Sequence, residues 1–225
     1  MTFETASSIY CRRRGERAIL RVVTDMAEKG LNFITIDFET ANYAKESACA
    51  VGLVRFVDGR EEDGVYSLIR PPSTYFIPEW TETIHHISYE DVCDKPRFPD
   101  VWRTLVEPFL GQTPGLPLVA HNTPFDMNII RGCCAYYDME LPDVSYFCSL
   151  ALSRIVWPGI SHRLTALGEH FGICYDAHNA LADAQTCGKV VVIAAQELGV
   201  ADTDSLLKKA GIPLCSLRER SQHGG

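Results

Sequence analysis

Long apolar runs are the first feature that the sequence lacks. No run approaches the roughly 20 residues that a membrane-spanning helix needs, so we expect neither such a helix nor a membrane partner. The first 17 residues show no apolar segment followed by a small-residue cleavage site, and we therefore expect no secretory signal. Internal repeats and low-complexity linkers are also missing, which favours one principal domain in a chain of 225 residues.

Paired cysteine spacings are missing as well. The chain has nine cysteines, an odd number, and none of them forms a CxxC pair, while Cys133 and Cys134 are adjacent. Structural zinc sites need paired spacings, so this class of site is not indicated. We interpret the cysteines as reduced thiols, mostly in the core, and expect a cytoplasmic location.

Positive charge is in short supply. The formal net charge is −8, which argues against a protein that coats nucleic acid non-specifically through a basic face. It does not exclude a nucleic-acid enzyme whose bound metal ions supply positive charge locally. The hydrophobic content of 46% is typical of a globular protein.

The segment Phe33–Thr40 is apolar, β-branched and aromatic, and it predicts a strand buried on both faces. Asp37 and Glu39 lie two residues apart at its end, so their side chains project from the same face. Two adjacent carboxylates repel each other, and burying them is costly unless a cation such as a divalent metal ion lies between them. The alternative is a strand end that reaches solvent with two ordinary surface acids.

The rest of the pattern predicts a mixed α/β sheet. Two further strands, separated by the tight-turn pair Asp58-Gly59, suggest an antiparallel meander, after which strands and helices alternate. A near capping box joins Ser88 and Asp91, and Thr123 is the expected N-cap of the helix after the fourth strand. The predicted strands cover residues 31–38, 48–57, 65–70, 118–120 and 144–148, and the predicted helices cover residues 16–29, 98–110, 124–137, 149–156, 163–171, 177–198 and 202–210. We expect an N-terminal helical extension over 1–30, a main domain over 31–198, and a C-terminal helix with a frayed polar tail over 199–225.

Three more chemically active residues fall at the ends of these elements. Asp126 lies in the first turn of the helix after residues 118–120, where α/β sheets collect their sites. His178 and Asp183 lie five residues apart near the start of the predicted long helix. Taken singly, an acid in a first turn is explained by the helix dipole, and a histidine at a helix start is commonly a surface residue. Four carboxylates and one histidine at element ends are harder to explain separately than as one site.

The motifs resemble those of the DnaQ-like, DEDDh 3′–5′ exonucleases in sequence, order and separation. Three segments carry the resemblance: Asp37-Phe38-Glu39-Thr40, His121-Asn122-Thr123-Pro124-Phe125-Asp126 and His178-Asn179-Ala180-Leu181-Ala182-Asp183. The resemblance covers residues 31–197 and implies a ribonuclease H-like fold with a five-stranded mixed sheet flanked by helices. The step of five residues from His178 to Asp183 is that of the histidine subclass.

The resemblance also implies a catalytic mechanism. Two Mg²⁺ or Mn²⁺ ions about 3.5–4 Å apart would be held by the carboxylates: Asp37 between both, Glu39 and Asp183 on one, and Asp126 on the other. His178 would act as the general base that takes a proton from the attacking water. The terminal phosphodiester would be cleaved to release a nucleoside 5′-monophosphate.

Substrate contacts are implied for Phe38, Thr40, Ala41 and Phe125. Thr40 and Ala41 would contribute their backbone, and Phe125 would stack on a base or wedge against it. Plain core packing is the alternative for the two phenylalanines. Two features depart from the family: His85-His86-Ile87 stands where many relatives have His-Gly-Ile, and Cys148 replaces an acid.

The expected function is therefore removal of nucleotides from the 3′ end of DNA, in proofreading or repair. The expected partner is a single-stranded nucleic acid with a free 3′ end. A DNA polymerase is a second candidate partner. Two alternatives remain: an exoribonuclease that trims RNA, and a binding module that keeps the fold without turnover. The intact set of five residues favours an enzyme over the binding module.

Overall fold

The computed structural model describes residues 30–174 and 176–219. Within them, six strands form one sheet: β1 (Phe33–Thr40), β2 (Ala48–Val57), β3 (Arg60–Leu68), β4 (Leu118–Ala120), β5 (Ser145–Cys148) and β6 (Cys215–Ser216). The spatial order is β3-β2-β1-β4-β5-β6. The first three strands are antiparallel to one another, β4 and β5 run parallel to β1, and β6 is antiparallel to β5. The predicted mixed sheet is confirmed, with the two-residue β6 as an added edge strand.

Helices cover both faces of this sheet. They are α1 (Pro78–Thr83), α2 (Tyr89–Val92), α3 (Phe98–Val101), α4 (Glu107–Gly111), α5 (Thr123–Tyr136), α6 (Ser149–Val156), α7 (Leu164–His170), α8 (Ala180–Glu197) and α9 (Thr203–Ala210). A π-helical segment, Trp102–Val106, joins α3 to α4. Among these helices, none combines the length and the apolar character needed to cross a membrane.

Strand β1 is the centre of the core, as its sequence predicts. All of its residues are buried except Asp37, which is partly buried. Ile34, Ile36 and Phe38 pack into the cluster that includes α5, whereas Phe33 packs into the cluster beneath α8. Alternate side chains therefore enter opposite layers, and the strand is covered on both faces.

The parallel pairing fixes where a site can form. The carboxyl ends of β1, β4 and β5 meet at one edge of the sheet, and Asp37 and Glu39 lie at that end of β1. The turn between β2 and β3 has positive φ at Asp58 (49°) and Gly59 (71°), which is the geometry of a two-residue hairpin and confirms the predicted turn.

Several boundaries differ from prediction. β3 begins at Arg60 rather than at residue 65, because its first half is an exposed edge strand of charged residues that carries no apolar pattern. Thr123 is not the N-cap of α5: Asn122 takes that position with φ 75°, and the Thr123 hydroxyl is buried and donates to the carbonyl of Phe147 at 3.4 Å. The capping box at Ser88 is confirmed.

The C-terminal region is tied to the sheet. The Thr203 hydroxyl donates to the carbonyl of Asn32 at 2.9 Å, and Tyr146 pairs with Cys215. The expectation of a frayed tail is therefore wrong for residues 215–216, where backbone pairing with β5 replaces solvent contact. The helix predicted over 16–29 and the N-terminal extension lie outside the described residues, apart from Gly30.

Candidate active site

Three acids converge at the carboxyl end of β1. Asp37 and Glu39 come from the strand, and Asp183 comes from the first turn of α8. One carboxylate oxygen from each residue lies within 4.8 Å of the corresponding oxygens of the other two. Sites of this composition suit hard divalent cations, which prefer oxygen ligands.

The approach of α8 depends on Gly52 of β2, which pairs with Asp37 in the sheet. A Cβ atom at Gly52 would lie 2.4 Å from the carbonyl of Ala180, the first residue of α8. The missing side chain therefore lets the helix begin directly on the sheet. Asp183, one turn further along, is brought to the two acids of β1.

Asp126 completes the group from the other side. Its side chain is 1% exposed, in the first turn of α5, and its Oδ1 accepts a hydrogen bond from the backbone N–H of Phe38 at 3.2 Å. Its Oδ2 is buried and meets no hydrogen-bond donor among the residues that the structure describes. An unpartnered buried carboxylate oxygen is costly and suits a cation ligand.

The electrostatics of the four carboxylates favour a bound cation. Burial raises the pKa of Asp37 well above its usual value, and the charges of Asp126, Asp183 and Glu39 raise it further. Burial, followed by the charges of Asp183 and Asp126, raises the pKa of Glu39 from 4.5 to about 8. Burial is also the main cause of the raised pKa of Asp126. Ionising all four groups therefore requires positive charge from outside this set, and the donor set fits a divalent metal ion.

His178 does not lie in the long helix, contrary to the predicted start at residue 177. It precedes the N-cap Asn179, whose side chain accepts hydrogen bonds from the N–H groups of Leu181 and Ala182 at 3.2 Å. His178 is exposed, has φ 66°, and stands in the loop that leads into α8, five residues before Asp183. Periodicity placed the helix start too early because Ala177 continues the apolar pattern.

The predicted substrate residues differ in what they expose. The side chains of Phe38, Thr40 and Ala41 are buried, and Phe38 packs against Phe98 with ring centroids 6.4 Å apart. These exposures include the backbone, and both backbone groups of Ala41 are hydrogen-bonded within the protein, so the structure exposes little of this backbone to a substrate. Phe125 is 43% exposed, next to Asp126, and its ring is available to a ligand.

His85, to which the sequence patterns gave no role, contacts the backbone at the end of β1. His85 is buried, its Nδ1 accepts from the N–H of Ile87 at 3.0 Å, and its Nε2 lies 3.2 Å from the carbonyl of Thr40. The next residue, His86, adopts φ 57°, the conformation that favours glycine. His86 therefore adopts the left-handed conformation at the position where many relatives have glycine. The run His85-His86-Ile87 was the sequence feature that could have indicated a role for His85.

Comparison with known proteins places this chain among exonucleases by sequence. The RNase_T exonuclease family model matches residues 34–191. The DNA polymerase III subunit epsilon of Salmonella typhimurium is 30% identical over 177 residues, covering 76% of this chain and 69% of that protein. The 3′-5′ exonuclease DinG of Bacillus subtilis is 28% identical over 163 residues, covering 70% of this chain and 17% of that protein.

Solved structures share the fold at lower identity. Exonuclease X in complex with 5′ overhanging duplex DNA has a TM-score of 0.60 at 22% identity, covering 80% of this chain and 99% of that one. The nuclease domain of 3′hExo, a DEDDh family member bound to rAMP, has a TM-score of 0.62 at 17% identity, covering 75% of this chain and 93% of that one. The ribonuclease H-like fold expected from the motifs is confirmed.

Proposed function

The chain belongs to the RNase_T exonuclease family as a DnaQ-like, metal-dependent 3′–5′ exonuclease, and we propose that it releases nucleoside 5′-monophosphates from single-stranded DNA. The observation that carries this proposal is the convergence of Asp37, Glu39 and Asp183 with the buried Asp126 beside them. A binding module without turnover has no need for four carboxylates that repel one another in a buried site.

We assign the metal ligands by position. Asp37 would contact two Mg²⁺ or Mn²⁺ ions, and Glu39 and Asp183, which lie in one group with it, would hold one of them. The unpartnered Oδ2 of Asp126 would face the other ion. When bound, such ions supply an activated water and neutralise charge on the phosphate. The protein holds the carboxylates in place before any ion arrives, through the strand pairing of β1 and the bond from Phe38 to Asp126.

We assign general base catalysis to His178. Its exposed position, five residues before Asp183, would give it access to solvent and to an attacking water. The loop that carries it ends at the N-cap of α8, so the base and Asp183 are held by the same helix start.

The substrate would approach across the end of β1. The exposed ring of Phe125 would stack on a base or wedge beside it. A contact through the backbone of Thr40 and Ala41 would require a local opening of these buried residues. Stacking needs an unpaired base, which supports a single-stranded 3′ end. A polymerase partner is supported by the name of the Salmonella relative, a DNA polymerase III subunit. We place the enzyme in the cytoplasm, where its described cysteines, which are free thiols, stay reduced.

The test is degradation of matched DNA and RNA oligonucleotides labelled at either the 3′ or the 5′ end, with Mg²⁺, with Mn²⁺ and with chelator. The proposal predicts immediate release of labelled mononucleotide from the 3′ end of DNA, a ladder of shortened 5′-labelled products, and no activity in chelator or in Asp37→Ala. If the RNA oligonucleotide is degraded faster than the matched DNA oligonucleotide, the substrate is RNA and the DNA proposal is wrong. Absence of turnover on both polymers, in a folded protein that binds Mn²⁺, would contradict the enzyme assignment.

A further inference from the structure

His121 lies at the end of β4, five residues before Asp126, and both nitrogens of its ring are engaged. Nε2 lies 2.8 Å from the carbonyl oxygen of His162, and Nδ1 lies 3.0 Å from the hydroxyl of Ser149. Because a carbonyl oxygen only accepts, Nε2 carries the proton of the neutral ring, and Nδ1 accepts from the hydroxyl. Burial lowers the pKa of His121, which favours this neutral form.

Ser149 continues the connection to α8. It is the first residue of α6, it is fully buried, and its hydroxyl lies 3.2 Å from the Sγ atom of Cys187. The hydroxyl also donates to the carbonyl of Ala120 at 3.2 Å. Burial raises the pKa of Cys187, so its thiol keeps its proton. The single hydroxyl hydrogen is shared between Nδ1 of His121 and the carbonyl of Ala120, and the thiol donates to the hydroxyl oxygen. A connected chain of hydrogen bonds therefore runs from Cys187 through Ser149 and His121 to His162.

This hydrogen-bond chain connects the segment that leads to Asp126 with the helix that carries Asp183. Cys187 is one helical turn after Asp183 on the same face of α8. Burial is the main cause of the raised pKa of the Cys187 thiol, and the charges of Asp37 and Asp126 add to it. His121 opens the segment that ends at Asp126.

We infer that His121 and Ser149 are positioning residues that fix β4 and α8 against each other, so that Asp126 and Asp183 keep the spacing that a pair of divalent ions requires. This inference rests on the proposed metal site and goes beyond it, because neither residue is among the proposed ligands. Groups that orient metal ligands from behind commonly change metal affinity by 10–100-fold when they are removed.

The test measures Mn²⁺ binding by electron paramagnetic resonance in the absence of nucleic acid. Ser149→Ala is compared with Ser153→Ala, which removes a hydroxyl from the same helix at an equally buried position. The Ser153 hydroxyl donates to the carbonyl of Leu150 at 2.9 Å and so remains within α6. We expect Ser149→Ala and His121→Gln to weaken Mn²⁺ binding about 10–100-fold and Ser153→Ala to leave it within about twofold of wild type.

A second pair of variants tests the hydrogen bond to α8. Cys187→Ser keeps a donor for Ser149 and should keep the Mn²⁺ affinity, whereas Cys187→Ala should lower it. Thermal unfolding in chelator establishes which variants are folded, and the His121→Gln and Cys187 variants decide the question if Ser149→Ala does not fold. Unchanged Mn²⁺ affinity in His121→Gln and Cys187→Ala, or an equal loss in Ser153→Ala, would overturn the inference. A wild-type protein that binds Mn²⁺ but degrades no nucleic acid would contradict the proposed function alone.

Discussion

Asp126 accepts a hydrogen bond through Oδ1 from the backbone N–H of Phe38 at 3.2 Å, across 88 positions of sequence. The bond ties the first turn of α5 to the strand residue that lies between Asp37 and Glu39. It also leaves the second oxygen of Asp126 buried and unpartnered among the described residues. A carboxylate held by one oxygen and open at the other is placed to act as a ligand.

Asp126→Asn tests the requirement for this carboxylate. We expect the rate of nucleotide release to fall at least about 100-fold, because the amide keeps the shape but loses the charge that holds a cation. In chelator at high pH, the melting temperature should rise, because the amide, unlike the carboxyl group, cannot acquire a buried charge that repels Asp183 and Asp37. Asp204→Asn is the control, since Asp204 also lies in a first helical turn but is exposed. Full activity in Asp126→Asn would contradict the assignment.

The raised pKa of Glu39 predicts how stability depends on pH. Between its ordinary value of 4.5 and about 8, the folded protein keeps a proton on Glu39 that the unfolded chain releases. The contribution of Glu39 to the free energy of unfolding is thus complete below the lower value and is lost as the pH rises through about 8. Urea unfolding in chelator should show this decline. The decline of the free energy of unfolding with pH should be smaller in Glu39→Gln and in wild type with Mg²⁺ than in wild type with chelator. An equal decline in these three samples would refute the explanation.

Gly52→Ala tests the packing that delivers Asp183. The added Cβ would lie 2.4 Å from the backbone of Ala180, so the start of α8 must move away from β2. Overpacking of this kind costs about 1–3 kcal/mol of stability, and we expect activity to fall at least about tenfold as Asp183 is displaced. Gly111→Ala is the matched control, because a Cβ there meets no atom within 4 Å. Equal activity in the two variants would show that the close approach is not needed.

His178→Ala should lower kcat about 10²–10⁴-fold, the usual contribution of a general base, while Mn²⁺ binding stays unchanged. His170→Ala provides the control, as His170 is also exposed and lies at the end of the preceding helix. Steady-state kinetics and Mn²⁺ titration separate the two effects. A loss of Mn²⁺ binding in His178→Ala would assign this histidine to the metal site instead.

Phe125→Ala should raise KM for single-stranded DNA about tenfold, since stacking of one base on an aromatic ring contributes about 1–3 kcal/mol. Tyr136→Ala is the matched control: Tyr136 is 56% exposed, but it lies at the far end of the same helix. The comparison uses KM on one oligonucleotide at fixed salt. If both variants keep the wild-type KM, Phe125 does not contact the substrate.

The sheet and the acids were predictable because their signals are local. Strand β1 is apolar throughout except for two acids spaced for one face, and the Asp58-Gly59 turn has the φ values that its sequence implies. The resemblance to the exonuclease motifs supplied what local patterns lack, namely that Asp126 and Asp183 meet Asp37.

The features that escaped prediction depend on contacts distant in sequence. The Thr123 hydroxyl has the chemistry of an N-cap, but the chain reverses at Asn122 and turns the hydroxyl towards β5. His178 lies outside α8 because Asn179, the residue after it, is the N-cap of that helix. The hydrogen-bond chain from Cys187 to His162 joins two helices and two loop residues that no sequence spacing relates.

The central claim is a site for two divalent ions, and the most direct test is the number of Mn²⁺ ions bound per chain. We would measure it by electron paramagnetic resonance titration in the presence of a nucleoside 5′-monophosphate. The account predicts two ions in wild type and one in Asp126→Asn. One ion or none in wild type, or two ions retained in Asp126→Asn, would contradict it.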